Sequence, residues 1–321
     1  MNCQSVTLNG RFKMPIVGFG SGGIITAELM EETLNTALEA GYRHIDTATA
    51  YENEHLIGPV LQKWFSSGKL NREDIFITTK LPNYKLQPEK VEEQLKASLA
   101  RLQINYVDLY LIHFPVARME ASPYEPSPLL PTDHVAIWKK MEEQVEMGRA
   151  KAIGVSNFTQ NQIEKLINNS TIKPACLQSE IHLYLQQEPL VRFCHSNGLA
   201  VTAYSPLGHP GIGDWFKQNG IEKEFLPDEL NDPTVQLIAK KHNVTSAQIL
   251  LKFQIQRNIV VVPYTSKPSR VKTNFDLFSF SLDAADIKAL IDSDKGERAR
   301  IFGFENLNGE DHPEWPFPKT K

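Results

Sequence analysis

The sequence Ile75-Phe76-Ile77-Thr78-Thr79-Lys80 is followed, after an intervening segment, by Val107-Asp108-Leu109-Tyr110-Leu111-Ile112-His113. Both runs are short, apolar and rich in β-branched residues, and neither alternates strictly, which is typical of strands buried on both faces. Between them, over 88–103, apolar residues fall on one face of a helix, and Pro88 suits its first turn. This stretch therefore predicts a strand–helix–strand unit of a parallel sheet.

The same alternation extends in both directions from this unit, with further helix periodicity over 132–147 and 284–290. The pattern spreads over about 250 residues, the usual length of a (β/α)₈ barrel. The strand-like runs number eight and cover 15–20, 44–47, 75–80, 107–113, 150–156, 175–181, 199–204 and 259–263. The fold class predicted is therefore α/β, as a (β/α)₈ TIM barrel.

A doubly wound sheet with a second domain would also alternate strands and helices. No linker rich in Gly, Ser or Pro divides the chain, so a single domain over 1–321 is favoured. Residues 6–13 predict a β-hairpin with an Asn9-Gly10 turn that closes the bottom of the barrel. The stretch 296–321, rich in Gly, Pro and aromatic residues, predicts a long loop over one face.

Composition narrows the class of protein. Of the 321 residues, 41% are hydrophobic and 22% charged, which is ordinary for a globular protein, and the net charge is −4. A mildly acidic chain has no polycationic surface for nucleic acid or an anionic membrane. The three cysteines, Cys3, Cys176 and Cys194, form neither a disulfide framework nor a CxxC metal motif. With no signal peptide and no apolar run long enough to span a membrane, a cytoplasmic location is expected.

One motif favours a different fold. Gly18-Phe19-Gly20-Ser21-Gly22-Gly23 satisfies GxGxxG after a strand, and Asp46 lies about where a Rossmann domain places its ribose-binding carboxylate. The alternative interpretation is that these glycines only make a tight strand-to-helix turn.

Polar residues at three consecutive strand ends argue for the barrel. Asp46 ends the second predicted strand, with Tyr51 in the loop that follows; Lys80 ends the third and His113 the fourth. Each alone is ordinary, since a Lys or Tyr in a loop is usually solvated. In a barrel, however, these ends converge on the face where catalytic residues collect.

Several longer passages of the sequence are specific enough to indicate a family. They are Gly41-Tyr42-Arg43-His44-Ile45-Asp46-Thr47-Ala48, Tyr51-Glu52-Asn53-Glu54, Thr79-Lys80-Leu81, Leu111-Ile112-His113-Phe114-Pro115, Ile153-Gly154-Val155-Ser156-Asn157-Phe158, Thr202-Ala203-Tyr204-Ser205-Pro206-Leu207-Gly208, and Ser266-Lys267-Pro268-Ser269-Arg270 with Asn274-Phe275. With them the chain resembles the aldo-keto reductases over essentially its whole length. The resemblance implies a barrel that binds an extended NADP(H) without a Rossmann domain and usually works as a monomer.

The resemblance also implies catalytic roles for the tetrad Asp46, Tyr51, Lys80 and His113. Reduction of a carbonyl needs a proton for the developing alkoxide, and a phenol with a reference pKa of about 10 is a poor acid at neutral pH. A neighbouring ammonium lowers that pKa, and a carboxylate keeps the ammonium charged. Tyr51 is therefore expected to be the proton donor, Lys80 and Asp46 to tune it, and His113 to orient the substrate carbonyl.

Cofactor contacts transfer from the family in the same way, and no metal is expected. Ser156, Asn157 and Gln178 resemble the groups that bind the nicotinamide carboxamide, and Tyr204 the ring that stacks on it. Two alternatives stay open: Gln178 as a buried hydrogen-bonding residue and Tyr204 as barrel core. The full predicted set is Gly20, Ser21, Gly22, Asp46, Ser156, Asn157, Gln178, Tyr204, Ser205, Leu207, Tyr264, Thr265, Ser266, Arg270 and Asn274.

The chain departs from the family at the substrate pocket. Gly22, Pro82 and Phe114 stand where relatives often carry Trp, so the aromatic walls are expected to be reduced and the pocket wider. Such a pocket favours bulky carbonyl compounds, such as steroids or isoprenoids, over small sugars. Within the family, the chain resembles insect 3-dehydroecdysone reductases. The predicted substrate-binding residues are Tyr51, His113, Phe114, Trp215 and Phe302.

A second departure is at the adenosine end. Tyr264 replaces a common Lys and Thr273 a common Glu, whereas Arg270 is retained. NADPH is therefore expected to be preferred over NADH by a reduced margin, with NAD(H) also accepted. The function predicted is NADP(H)-dependent reduction of small-molecule aldehydes and ketones. The alternative is a catalytically silent binding or regulatory module of the same fold.

Overall fold

The N-terminal residues form the predicted β-hairpin, in a computed structural model that describes residues 4–122, 127–218, 220, 223–304 and 307–318. Strand β1, Ser5–Leu8, pairs antiparallel with β2, Phe12–Pro15. Asn9 and Gly10 both have positive φ, 48° and 66°, which is why Asn-Gly suits this turn. One face of the hairpin belongs to the main hydrophobic core. Cys3 lies outside the described residues.

A single parallel sheet follows, and its strands pair in chain order. The strands are β3 Phe19–Gly20, β4 His44–Asp46, β5 Phe76–Leu81, β6 Val107–Ile112, β7 Ala150–Ser156, β8 Cys176–Glu180, β9 Ala200–Tyr204 and β10 Ile259–Val261. The two edges meet: the Gly18 amide donates to the Val261 carbonyl (2.8 Å), and the Val261 amide donates to the Ile16 carbonyl (2.9 Å). The sheet is therefore closed into the predicted (β/α)₈ barrel, and a doubly wound sheet is excluded.

Helices connect the strands around the outside of this sheet. Within the described residues they are α1 Ala27–Ala40, α2 Glu54–Ser66, α3 Val91–Leu102, α4 His134–Glu146, α5 Gln160–Asn169, α6 Glu188–Ser196, α7 Ile212–Gln218, α8 Pro233–His242, α9 Ser246–Gln256, α10 Pro268–Phe275 and α11 Ala284–Ile291. Local sequence explains their starts, because Asp133 caps α4 and Thr159 and Gln162 form a capping box at α5. None of the described helices is long and apolar enough to cross a membrane.

Some boundaries differ from those predicted. The first predicted strand, 15–20, is divided, since Pro15 ends the hairpin strand and only Phe19 and Gly20 pair with β4. The break is not visible in the sequence, because residues 16–20 are apolar or small and all buried. The helix predicted from Pro88 begins as a 3₁₀ turn and becomes α-helical at Val91.

Burial explains why the central strands lack alternation. Every residue of β5 and of β6 is buried, since one face packs inside the barrel and the other against the helices. Neighbouring parallel strands end side by side, so the residues that close β4, β5 and β6 emerge on one face of the barrel. This face carries the candidate site.

Candidate active site

The centre of the site is a buried ion pair between two neighbouring strands. Lys80 Nζ, on β5, lies 2.6 Å from Asp46 Oδ1 at the end of β4 and donates to the Thr47 carbonyl at 2.8 Å. Their side chains are 0% and 4% exposed. Burial lowers the pKa of Lys80, but Asp46 and Tyr51 raise it more, so it lies above its ordinary value. The ammonium is therefore held charged.

Tyr51 stands over this pair, at the end of a 3₁₀ turn, Thr49–Tyr51, that follows β4. Its hydroxyl is 3.5 Å from Lys80 Nζ, which also lies 4.9 Å from the ring centroid. Burial raises the pKa of Tyr51 and the Lys80 ammonium lowers it; burial is the larger effect, so the net pKa is above the ordinary value. Lys80 thus acts in the expected direction, but burial outweighs it, so the phenol is protonated at neutral pH.

His113 completes the tetrad immediately after β6. Its ring meets that of Tyr51 edge to face, with centroids 5.7 Å apart. Burial, helped by the Lys80 charge, lowers the pKa of His113 to about 3. The imidazole is consequently neutral at working pH and has one N–H to donate. The structure thus brings together all four residues of the predicted tetrad.

Amide side chains from the next two strands surround the tetrad. Gln178 Nε2, on β8, donates to Asp46 Oδ2 at 2.6 Å. Asn157 Nδ2 donates to the His113 carbonyl (2.9 Å) and to Ser156 Oγ (3.1 Å), and its Oδ1 accepts from the Tyr204 hydroxyl (2.8 Å). Gln178 is thus a buried residue hydrogen-bonded to the tetrad, and its contact with the nicotinamide carboxamide stays a prediction.

The predicted cofactor residues trace a continuous path along the sheet order. They leave successive strands at Asn157 after β7, Gln178 on β8, Tyr204 at the end of β9 and Tyr264 after β10. Beyond Tyr204, Ser205 and Gly208 have positive φ (49° and 66°) and turn the chain back. An extended molecule with polar groups at intervals fits such a path.

The far end of the path suits an anionic group. Thr265 and Ser266 follow Tyr264, and Arg270 is exposed on the first turns of α10, where the helix dipole favours negative charge. Tyr264, ahead of α10, is 40% exposed, and Asn274, on α10, is buried.

The β3–α1 loop runs between two tyrosine rings. A Cβ built on Gly22 would lie 3.4 Å from the Tyr51 ring, and one on Gly23 would lie 3.3 Å from the Tyr264 ring. The buried Ser21 hydroxyl beside them has no hydrogen-bond partner among the described residues, so it is available to a ligand. Gly20 has a packing reason to be glycine, since its Cβ would lie 2.6 Å from the Val262 carbonyl oxygen. Its predicted cofactor contact stays a prediction.

Comparison with known proteins agrees with this site. The model of the Aldo/keto reductase family matches residues 17–295. This chain belongs to the aldo/keto reductase family. It is 38% identical over 325 residues to dihydrodiol dehydrogenase 3 of Bos taurus, covering 98% of this chain and 97% of that protein.

Solved structures match this aldo/keto reductase over nearly its full length. The aldose reductase from Schistosoma japonicum superposes with a TM-score of 0.88 at 35% identity, covering 99% of this chain and 100% of that one. A Bombyx mori aldo-keto reductase, solved in complex with NADP, gives a TM-score of 0.88 at 33% identity with the same coverage. The protein is an NADP(H)-dependent oxidoreductase of this family.

In this aldo/keto reductase the C-terminal loop supplies aromatic side chains next to the site. Buried Phe114, which follows His113, contacts three rings that the sequence analysis did not single out, those of Phe304, Trp315 and Phe317 (centroids 4.7, 5.5 and 6.0 Å). The loop therefore packs an aromatic cluster onto Phe114, and the wider substrate pocket stays a prediction. The richness of 296–321 in aromatic residues was the available signal.

The two other predicted substrate residues lie in different settings. The Phe302 ring contacts those of Tyr204 (5.9 Å) and His209 (5.3 Å), next to the predicted nicotinamide position. Trp215, on α7, is 47% exposed and packs against Phe216. Its role in substrate binding stays a prediction.

Proposed function

We propose that this aldo/keto reductase reduces aldehydes and ketones to alcohols with Tyr51 as the proton donor. The observation that carries the proposal is the Tyr51 hydroxyl 3.5 Å from Lys80 Nζ, which itself lies 2.6 Å from Asp46 Oδ1. A phenol so placed can release its proton because the ammonium stabilises the phenolate that remains.

Each residue of the tetrad has a separate role in the proposed reaction. NADPH, when bound, supplies the hydride. Neutral His113 donates its N–H to the carbonyl oxygen and orients it, and Tyr51 delivers a proton to the same oxygen as negative charge develops. Asp46 does not touch the substrate; it keeps Lys80 charged and correctly placed.

The residues along the barrel mouth would hold the cofactor. Ser156, Asn157 and Gln178 would bind the nicotinamide carboxamide, and the Tyr204 ring, fixed by its bond to Asn157, would support the nicotinamide. Further along, the groups proposed to hold the pyrophosphate and adenosine are Ser21, Gly22, Ser205, Leu207, Tyr264, Thr265, Ser266, Arg270 and Asn274.

The substrate class proposed is bulky and apolar, with steroids as candidates. The three partly exposed loop rings that pack on buried Phe114 would offer an aromatic surface near His113. Gly22 leaves the opposite side, next to Tyr51, without a side chain. A pocket of this kind favours planar apolar ketones over small sugars.

A substrate screen tests the proposed function and its alternative together. NADPH oxidation is followed with aromatic aldehydes, sugars and ketosteroids at equal concentrations. We expect turnover of aldehydes, with the highest kcat/KM for the bulky apolar carbonyls. A silent module would bind NADPH, measured by fluorescence, and turn over none of these compounds; the intact tetrad supports the enzyme instead.

The setting proposed is that of a cytoplasmic monomer, one domain over residues 1–321, without nucleic-acid or membrane partners. The support is the net charge of −4 and the resemblance to a family whose members usually work alone. Equilibrium sedimentation of the purified protein tests the oligomeric state.

A further inference from the structure

A second buried cluster of titratable groups lies just beyond the proposed site. His182 is held between two glutamates: its Nε2 is 3.0 Å from Glu180 Oε1 and its Nδ1 is 2.6 Å from Glu229 Oε1. All three side chains are fully buried. Among the described residues no group is arranged to hold a metal ion, so this cluster needs another explanation.

The glutamates attach different loops to the barrel. Glu180, the last residue of β8, accepts the backbone amides of Ile301 (2.7 Å) and Phe302 (2.9 Å) from the C-terminal loop. Glu229 begins the 3₁₀ turn Glu229–Asn231 that precedes α8, and its side chain packs against Gly208, within 3.1 Å of where a Cβ would lie. His182 therefore joins the segment that carries Phe302 to the segment that follows Ser205.

Only one protonation state of His182 satisfies both neighbours. An imidazolium donates from both nitrogens, whereas neutral imidazole has a single donor and would face one carboxylate with a lone pair. Burial lowers the pKa of His182, but the two glutamates raise it more, to about 9. Charged hydrogen bonds of this kind are short and directional, so they fix the spacing of the attached loops.

Both attached loops reach the proposed site. Phe302 contacts Tyr204 and His209, and His209 directly follows Gly208 in the loop that we assign to the pyrophosphate. A shift of Glu180 relative to Glu229 would therefore move Phe302, a predicted substrate contact, relative to the Ser205–Gly208 loop.

We propose that His182 is a positioning residue that couples cofactor binding to substrate binding, by holding Phe302 and the Ser205–Gly208 loop at a fixed spacing through Glu180 and Glu229. The proposal rests on the function proposed above. It assigns His182 no contact with either ligand.

The test compares His182→Gln with a matched buried histidine, His44→Gln. His44 lies on β4, where its ring nitrogens face Thr78 Oγ1 (3.1 Å) and the Pro15 carbonyl (3.3 Å), and neither partner belongs to the two loops. We expect His182→Gln to weaken NADP⁺ binding, measured by titration calorimetry, about 10-fold, and to raise KM for a bulky ketone by a similar factor. The kcat for a small aldehyde should change by less than about 3-fold, since the tetrad is untouched. His44→Gln should lower thermal stability and leave Kd and KM unchanged.

Glu229→Gln provides a milder form of the same test if His182→Gln does not fold. It keeps the His182–Glu180 pair and should shift NADP⁺ affinity and KM in the same direction by less. Unchanged Kd and KM in the folded His182 and Glu229 variants, with only a stability loss like that of His44→Gln, would overturn the proposal. A wild-type protein without turnover would refute the proposed function, yet the calorimetry would still show whether His182 acts on the cofactor loop.

Discussion

Burial raises the pKa of the Tyr51 hydroxyl and the Lys80 charge lowers it, and burial is the larger effect. Tyr51→Phe keeps the ring and removes only the proton donor, so kcat should fall by about 10²-fold or more, the usual contribution of a positioned general acid. NADPH affinity should stay nearly intact. Tyr106→Phe, which removes a phenol bonded to Lys151 just before β6, serves as the control and should keep full activity. Normal turnover by Tyr51→Phe would remove Tyr51 from the mechanism.

At the adenosine end the balance of cations decides the choice of cofactor. Arg270 can donate two hydrogen bonds to a phosphate, whereas Tyr264 carries no cationic group and packs over Gly23. A charged hydrogen bond contributes roughly 1.5–3 kcal/mol, so losing one reduces discrimination by about 10- to 100-fold. We expect NADPH to be preferred modestly, Tyr264→Lys to widen the preference, and Arg270→Ala nearly to abolish it. The measurement is kcat/KM with NADPH and with NADH for the three proteins. An unchanged preference in Arg270→Ala would show that the phosphate lies elsewhere.

At the scale of the element, the glycines in the stretch 18–23 have different structural roles. A Cβ on Gly20 would lie 2.6 Å from the backbone oxygen of Val262, which directly follows β10, so no flexible side chain can move aside. Gly20→Ala should therefore destabilise the fold by about 1–3 kcal/mol, the usual range for overpacking, measured by urea unfolding. Gly22→Ala meets only ordinary contact with a side chain and should cost much less stability. If Gly20→Ala instead kept full stability and lost only NADPH affinity, its role would be at the cofactor.

Secondary-structure elements were predictable where one local signal decided them. The runs ending at Lys80 and His113 are apolar without alternation because both faces are buried, and the sequence shows this directly. The division of the first strand was not predictable, because the run from Ile16 to Gly20 is buried throughout and only its pairing partners show the break. The Glu180 contact with Ile301 joins residues 121 positions apart, and no local pattern encodes it.

Among the residues of the site, the tetrad was predictable because strand ends converge in any barrel. The net direction of the Tyr51 pKa shift was not predictable, since it depends on burial, which is a property of the folded chain. The aromatic cluster around Phe114 was not predicted for a similar reason. The loop composition was visible, but its contacts with β6 depend on how the loop folds back.

At the scale of the whole molecule, histidines should shape the dependence of stability on pH. Burial lowers the pKa of His44 to about 4, so the unfolded chain binds the extra proton first and stability falls as pH drops from about 6.5 towards 4. His182 has the opposite sign: its pKa is about 9 in the folded protein, so stability falls as pH rises from about 6.5 through 9. Each shift corresponds to a contribution on the order of 3 kcal/mol.

The free energy of unfolding, measured in urea between pH 4.5 and 9.5, should therefore be greatest near pH 6.5. His44→Gln should reduce the slope on the acid side, where the lowered pKa of His113 also contributes, and His182→Gln should flatten the alkaline side. A wild-type stability that keeps rising to pH 9 would contradict the charged state of His182.

The closure of the barrel between β3 and β10 has a consequence for motion. Strands β5 and β6 are adjacent in the chain and fully buried, but the closure joins the two ends of the strand order through short pairings around Gly18 and Val261. Bringing such distant segments together costs more chain entropy than pairing neighbours. In heavy water, the backbone amides of Gly18 and Val261 should consequently exchange before those of β5 and β6, through openings that leave most of the barrel intact. Exchange of these two amides only together with the central strands would mean that the barrel opens as one unit.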